Sequence, residues 1–284
     1  MAVVVGYDGS DGSERALEWA VEEARLRGLP LEVVAVWDEP TVDVGMGAGA
    51  VADPNLARVL EERADDIAAR GAAVVEEVPV TSRALPGPAA AALIDLSRDA
   101  ELIVTGSHSK RGVAEILLGS TSDQVATHST CPTIVVRPKP IVNQRLAVAV
   151  DGSHPGSRAL DWAFEEASRR GWKVRVIHAW DVHVVGFDVD DSTYPKGGIL
   201  DEVKDAETRL NAEVLAGHRA RYPDVEVEVL VDRGNADRVV LEASADCDLL
   251  VVGSKGHGAL ASMLLGSVSH RVLHHADCSV AVVH

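Results

Sequence analysis

Short, nearly continuous apolar runs alternate along this chain with longer stretches in which apolar positions recur every three or four residues. The runs fall at residues 3–5, 33–37, 74–80, 102–104 and 134–136, and again at 146–150, 174–180, 225–231, 249–252 and 280–283. Runs without polar alternation suit strands buried on both faces, as in a parallel sheet covered by helices. After the first run of each set, Leu17, Ala20, Val21 and Ala24, and then Leu160, Ala163, Phe164 and Ala167, take the spacing of one apolar helix face. Gly28 and Gly171 close those helices. The pattern predicts two α/β domains, each an open parallel sheet of about five strands with helices on both faces.

The two sets are copies of one unit. With Asp8 set against Asp151, 13 of the 21 positions in residues 8–28 match those in residues 151–171. A length of 284 residues accommodates two such units. Between the last run of one and the first of the next lie Pro138, Lys139, Pro140, Asn143 and Gln144, a polar, proline-stiffened linker that sets the domains at 1–140 and 141–284. Two looser segments, 38–55 with Gly45, Gly47 and Gly49, and 181–198, each follow a second strand, where they read as lids or as plain surface loops.

Composition narrows the partners. A formal charge of −17 gives neither nucleic acid nor an anionic membrane an attractive surface. The chain has no apolar run of bilayer length, and it opens on Val3-Val4-Val5 without a basic leader, so it reads as cytoplasmic. Its three cysteines, Cys131, Cys247 and Cys278, form no metal pair and no even set of disulfides, which suits reduced thiols. An anionic small molecule is still compatible with the charge, because helix N-termini and glycine-rich loops offer unpaired N–H groups locally.

What is duplicated most closely is turn and loop chemistry. Asp8-Gly9-Ser10 follows the first strand and returns as Asp151-Gly152-Ser153, while Gly106-Ser107 and Gly119-Ser120 return as Gly253-Ser254 and Gly266-Ser267. In an open parallel sheet ligands sit beyond the carboxyl ends of the strands, where strand order reverses. A sheet with the first and fourth strands adjacent brings both motifs to one crevice. Neither a Walker loop nor the dinucleotide fingerprint is present. Plainer roles are also open: each Asp as a turn former capping the next helix, the glycines as tight turns alone, and His270, His274 and His275 as a solvated helix face.

The spacing Gly253, Gly256, Gly266, Ser267 resembles the nucleotide-binding signature of the universal stress protein family, and the duplication resembles its tandem-domain members. The resemblance covers essentially the whole chain and implies a five-stranded parallel sheet of order 3-2-1-4-5 in each domain, with ATP, alone or with Mg2+, as the cofactor. The cofactor-binding residues it implies are Gly6, Asp8, Val36, Gly106, Ser109, Arg111, Gly112, Gly119, Ser120 and Thr121 in the first repeat. In the second they are Ala149, Asp151, Ala179, Gly253, Lys255, Gly256, Gly258, Gly266, Ser267 and Val268. Asp151 is expected to meet the ribose and any metal, Ala179 the adenine, and the glycine loop the phosphates. The first repeat departs at Ser109, which replaces the second glycine; if that position needs positive φ, binding there is weakened, and Lys110 and Arg111 are placed to compensate.

The expected function is an ATP-binding regulatory stress-response protein with one site per repeat and no catalytic residue or resident metal site. The alternative is a slow ATPase or nucleotidyl-transferring enzyme on the same fold, and a third reading is an interaction module with an empty pocket. The protein partner is not readable. The fifth strands, 134–136 and 280–283, are expected to pair edge to edge within the chain, leaving other surfaces for a homodimer.

Overall fold

The computed structural model describes residues 1–39, 41–43, 50–52, 54–107, 118–180, 199–256 and 265–284. Two compact units divide at Pro138 and Lys139. The first runs β1 (Val3–Gly6), α1 (Asp11–Arg27), β2 (Leu31–Trp37), β3 (Thr41–Asp43), β4 (Ala50–Ala52), α2 (Pro54–Ala73), β5 (Val80–Pro86), α3 (Ala89–Leu96), β6 (Leu102–Gly106), α4 (Ser120–His128) and β7 (Thr133–Val136). Its sheet has the order β5-β2-β1-β6-β7, and every pair is parallel. Counting only the strands of that sheet, the order is 3-2-1-4-5, as the resemblance implies. The segment 38–55 carries a short antiparallel pair of its own, β3 with β4.

The second unit runs β8 (Arg145–Ala149), α5 (His154–Arg170), β9 (Lys173–Trp180), α6 (Ile199–Arg221), β10 (Val227–Arg233), α7 (Ala236–Ala243), β11 (Leu249–Gly253), α8 (Ser267–His275) and β12 (Ser279–Val283). Its order, β10-β9-β8-β11-β12, repeats the first, again with parallel pairs throughout. Residues 181–198 lie outside the described residues.

The central strands are apolar because helices cover both of their faces. In the first unit Val4, Val34, Ile103, Leu93 and Val125 form one cluster beneath α3 and α4, while Ala35, Ala64 and Ala68 pack with Trp37 beneath α2. One expected strand is displaced. The run at 74–80 is not the third strand; β5 occupies 80–86, and Val74, just past the end of α2, is 69% exposed. The reason is position in the sheet: β5 pairs within its unit with β2 alone, and its Thr81, Ser82 and Arg83 face solvent, so no apolar run marks it.

Helices α1 and α5 are built alike. Ser10 and Ser153 cap their first turns, accepting from the N–H of Ser13 and Gly156, and Gly28 and Gly171 end them in the left-handed conformation. Trp19 Nε1 donates to Glu23 at 2.9 Å, and Glu23 also pairs with Arg27, both of whose side chains are almost wholly buried. Glu166 and Arg170 form the same buried pair in the second unit. The linker is fastened to the second unit: the Asp248 carboxylate accepts from Val142 N and Asn143 N at 3.0 and 2.9 Å, and Lys139 Nζ donates to Ala245 O at 2.6 Å. All three cysteines are buried, and burial pushes the thiols of Cys131 and Cys247 up to about 12.

Candidate functional site

Each unit has a cavity beyond the carboxyl ends of its first, second and fourth strands, and the Asp-Gly-Ser turn forms one wall. Asp8 Oδ1 accepts from Ser10 N at 3.0 Å, and Asp151 Oδ1 from Ser153 N at 2.9 Å. Gly9 and Gly152, between them, both stand at φ +76°, a conformation that costs an L side chain about 1 kcal/mol. The sequence Asp-Gly-Ser is therefore a complete device. Asp folds the turn back, Gly supplies the left-handed residue, and Ser caps the helix that follows. The turn-forming role and a ligand-facing role are both open to the same carboxylate, because Oδ1 holds the turn and the side chain remains solvent-exposed.

Burial against the cavity wall works to raise the pKa of Asp8. Hydrogen bonds from the Ser10 hydroxyl and N–H, with the Ser13 hydroxyl, outweigh that and hold it below the ordinary carboxylate value. Asp8 is thus an anion at neutral pH, able to accept hydrogen bonds and not to donate them. Beside it, Tyr7 is pushed up to about 12 by burial and by its hydrogen bond to Glu14.

The second wall is the strand-to-helix connection. Gly266 N donates to Ser254 O at 2.7 Å, closing the glycine loop on itself, and Gly266 then caps α8 through its backbone with no side-chain cap. Gly119 begins α4 in the same way. The first N–H groups of both helices are consequently unpaired within the helix and stand at the cavity, the arrangement that attracts anions. A residue that sequence reasoning misses fixes this geometry in both repeats: Ser122 Oγ donates to Gly106 O at 2.7 Å and Ser269 Oγ to Gly253 O at 2.6 Å, tying helix start to strand end. Its signal is the second serine of Gly119-Ser120-Thr121-Ser122 and Gly266-Ser267-Val268-Ser269.

The second-repeat cavity, about 270 Å³, brings together Ala149, Asp151, Ala179, Gly253, Lys255, Gly256, Gly266, Ser267 and Val268, with Ile177, Ala236, Val240 and Val252 as its apolar side. Gly258 lies outside the described residues. Gly256 is there for space. Its φ is not left-handed, but a Cβ built on it stands 2.5 Å from Asp151 Oδ2, and one on Gly156 stands 2.8 Å from Asp151 Oδ1. The condition set on this position, that it needs positive φ, is not met; a side chain there would instead meet the Asp151 carboxylate, which would have to turn aside.

The first-repeat cavity, about 290 Å³, brings together Gly6, Asp8, Val36, Gly106, Gly119, Ser120 and Thr121, with Val34, Ala89 and Leu93 on its apolar side. Ser109, Arg111 and Gly112 lie outside the described residues, as do Lys110 and His257. Gly106 approaches α1 so closely that a Cβ on it would stand 2.3 Å from Gly12 O. His270 and His274 sit one turn apart on α8 with ring centroids 4.5 Å apart, away from the cavity lining.

A family model, that of the Universal stress protein family, matches residues 1–137 and again 143–284. A universal stress protein of Mycolicibacterium smegmatis is 35% identical over 295 residues, covering 99% of this chain and 96% of that protein. A universal stress protein of Mycobacterium tuberculosis is 34% identical over 293 residues with the same coverage of both. Among solved structures, a universal stress protein from Archaeoglobus fulgidus superposes with a TM-score of 0.72 at 22% identity, covering 99% of this chain and 97% of its own. A protein from Pseudomonas aeruginosa described as a putative universal stress protein gives 0.65 at 17%, covering 99% and 92%. Those likenesses, below a quarter identity, concern the fold.

Proposed function

We propose that this chain, which belongs to the universal stress protein family in both of its repeats, is an adenine-nucleotide-binding regulatory protein whose tighter ATP site is the second repeat. The observation that carries the reading is the seat of Asp151. Its carboxylate stands between Gly156 and Gly256, at each of which a Cβ would meet it, and Lys255, the glycine loop and the unpaired start of α8 line the same cavity. A carboxylate accepts from a sugar diol, backbone N–H groups and an ammonium take phosphate oxygens, and Ile177, Ala179, Val240 and Val252 offer an apolar slot for a flat base.

The residues fit the cofactor. Gly253, Gly256 and Gly266 line the cavity with no side chain over their backbone, which close approach to a polyphosphate requires, and one carboxylate beside phosphate oxygens is a usual set for Mg2+. When bound, ATP would supply charge to the loop and α8, and differential affinity for two loop arrangements is what turns a bound ligand into a signal. Against the enzyme reading stands the commitment of Asp151 Oδ1 to the turn, with no second carboxylate or histidine among the described residues lining that cavity. The protein that receives the signal is not identified by this site.

The deciding experiment releases whatever the purified protein retains by denaturation, chromatographs it, and then titrates the stripped full chain with ATP by calorimetry. Adenine nucleotide recovered near one per chain, with a matching titration lost in Asp151→Ala, is the expected result. No retained nucleotide and no heat with ATP would overturn the reading and leave an interaction module.

A further inference from the structure

The face of α8 that turns away from the core of its own unit carries a pair of metal-ligating side chains. Ser269, Val272 and Leu273 point inward and are buried, whereas His270 is exposed and His274 partly so, which puts both imidazoles on the outward side of the helix. Four residues apart, they are neighbours along that side. Their ring centroids stand 4.5 Å apart at an interplanar angle of 38°, and a nitrogen of one ring lies within 4.8 Å of a nitrogen of the other. The sequence reads these residues as a solvated helix face, but solvation alone does not ask two rings to stand in contact. The first repeat carries Asp123 and Thr127 at the equivalent positions, so the pair belongs to the second repeat only.

Two imidazoles so placed are a small side-chain rotation from sharing one ion. Metal–nitrogen bonds of about 2.0–2.1 Å bring a chelating pair of nitrogens to roughly 3 Å of each other, and rings at the surface reach that by turning about their own χ angles. The donor set selects the ion: imidazole suits Zn2+, Cu2+ and Ni2+, while Mg2+ and Ca2+ take oxygen ligands. Two protein ligands leave the other coordination positions to water, which makes the site exchangeable and not structural. The adjacent guanidinium is held aside, with Arg271 Nε donating to Asp237 at 2.9 Å. His274 lies in the last turn of α8, the end of a helix at which a cation is favoured.

We propose that His270 and His274 form an exchangeable binding site for a divalent transition-metal ion of the Zn2+ class on the outer side of α8. The site does not rest on the nucleotide reading, because neither histidine lines the cavity. It does act on the same helix. His270 N donates to Gly266 O at 2.9 Å, closing the first turn, and Gly266 N donates to Ser254 O at 2.7 Å. An ion bridging His270 and His274 therefore restrains the element whose first N–H groups stand at the cavity.

The test titrates the untagged, metal-stripped full chain with Zn2+ by calorimetry in a buffer holding excess Mg2+, which fills carboxylate sites and competes poorly for imidazole. One Zn2+ per chain is expected to bind. His270→Gln and His274→Gln should each weaken it about tenfold, while His275→Gln, on the same helix, should titrate like the parent. Hydrogen exchange gives a local readout, since Zn2+ should slow exchange of the α8 amides in the parent and not in the two weakened variants. Urea unfolding without metal should give all three variants the parent's midpoint, so that lost binding is not lost fold. The proposal is overturned if His270→Gln and His274→Gln both bind Zn2+ like the parent, if Mg2+ abolishes the Zn2+ heat, or if the amides that Zn2+ slows lie outside α8.

Discussion

Gly256 stands hard against Asp151: a methyl group on the glycine would be 2.5 Å from the carboxylate's Oδ2, closer than non-bonded carbon and oxygen approach, so one of the two must move to admit it. The residues are 105 positions apart in sequence, and the turn that fixes Asp151 and the loop that carries Gly256 come from different strands. Either the aspartate or the loop must shift to admit a side chain, and both belong to the same wall.

Gly256→Ala should therefore weaken ATP binding in the second repeat about tenfold, roughly 1.4 kcal/mol, while leaving the fold intact because the loop is at the surface. Gly156→Ala, on the other side of the same carboxylate, should act in the same direction. Calorimetry on the two variants and on Asp151→Ala decides it. Parent-like titrations for both alanine variants would remove the glycine enclosure from the binding argument.

The acid limb of stability carries the mark of Asp8. Its pKa in the folded protein is lowered from 3.8, so its contribution is complete above that unfolded value and is lost as pH falls through the lower, folded one. Asp8→Asn should cost stability at neutral pH, and the gap between parent and variant should close as the pH is taken from about 5 down to about 2.5. Urea unfolding across that range measures it. A gap that stays constant with pH would mean that the hydrogen bonds from Ser10 do not favour the ionised form.

Much of this architecture is legible in the residues alone. Two domains, their strand order and the meeting of Asp8 with Gly106 and of Asp151 with Gly253 follow from duplication, periodicity, the family signature and the rule for open parallel sheets. The edge misleads: β5 reads as Val-Thr-Ser-Arg-Ala-Leu-Pro, and a strand with solvent on one flank has no apolar run to announce it. Distance, by contrast, is invisible in a sequence. Gly256 reads there as serving either φ or close backbone approach, and only the position of Asp151 Oδ2 shows which neighbour a side chain would meet. Ser122 and Ser269 are in plain view but carry no special spacing, and only their bonds to Gly106 O and Gly253 O give them a task.

Turnover of ATP should be slow, on the order of minutes or longer, against the ~10 per second of a dedicated enzyme. In the second-repeat cavity the lone carboxylate is held by Ser153 N on one oxygen, which leaves no group oriented to deprotonate water among the described lining residues. Phosphate release with excess ATP and Mg2+ provides the measurement. Sustained release at several per second, abolished by Asp151→Ala, would move the protein into the enzyme class.

The firmest stability prediction concerns Glu23 and Arg27, whose side chains are 0% and 3% exposed, one helical turn apart on α1. Glu23 also accepts from Trp19 Nε1 at 2.9 Å, so a single carboxylate neutralises a buried guanidinium and satisfies a buried indole. Removing it alone leaves a charge in a low-dielectric interior, and Glu23→Ala should cost about 3–5 kcal/mol. Removing both charges is a different matter, because the desolvation of the pair is recovered together with the loss of its attraction. Glu23→Leu combined with Arg27→Met should recover most of that loss and stand well above the single variant, short of the parent by the about 1–3 kcal/mol of a buried Trp19 indole N–H that has lost its acceptor. Glu166 and Arg170, paired at 0% and 4% exposure, should repeat the result in the second unit. Urea unfolding of the two single and two double variants tests it: a double variant as unstable as the single would mean that these side chains matter for their shape and not for their charge.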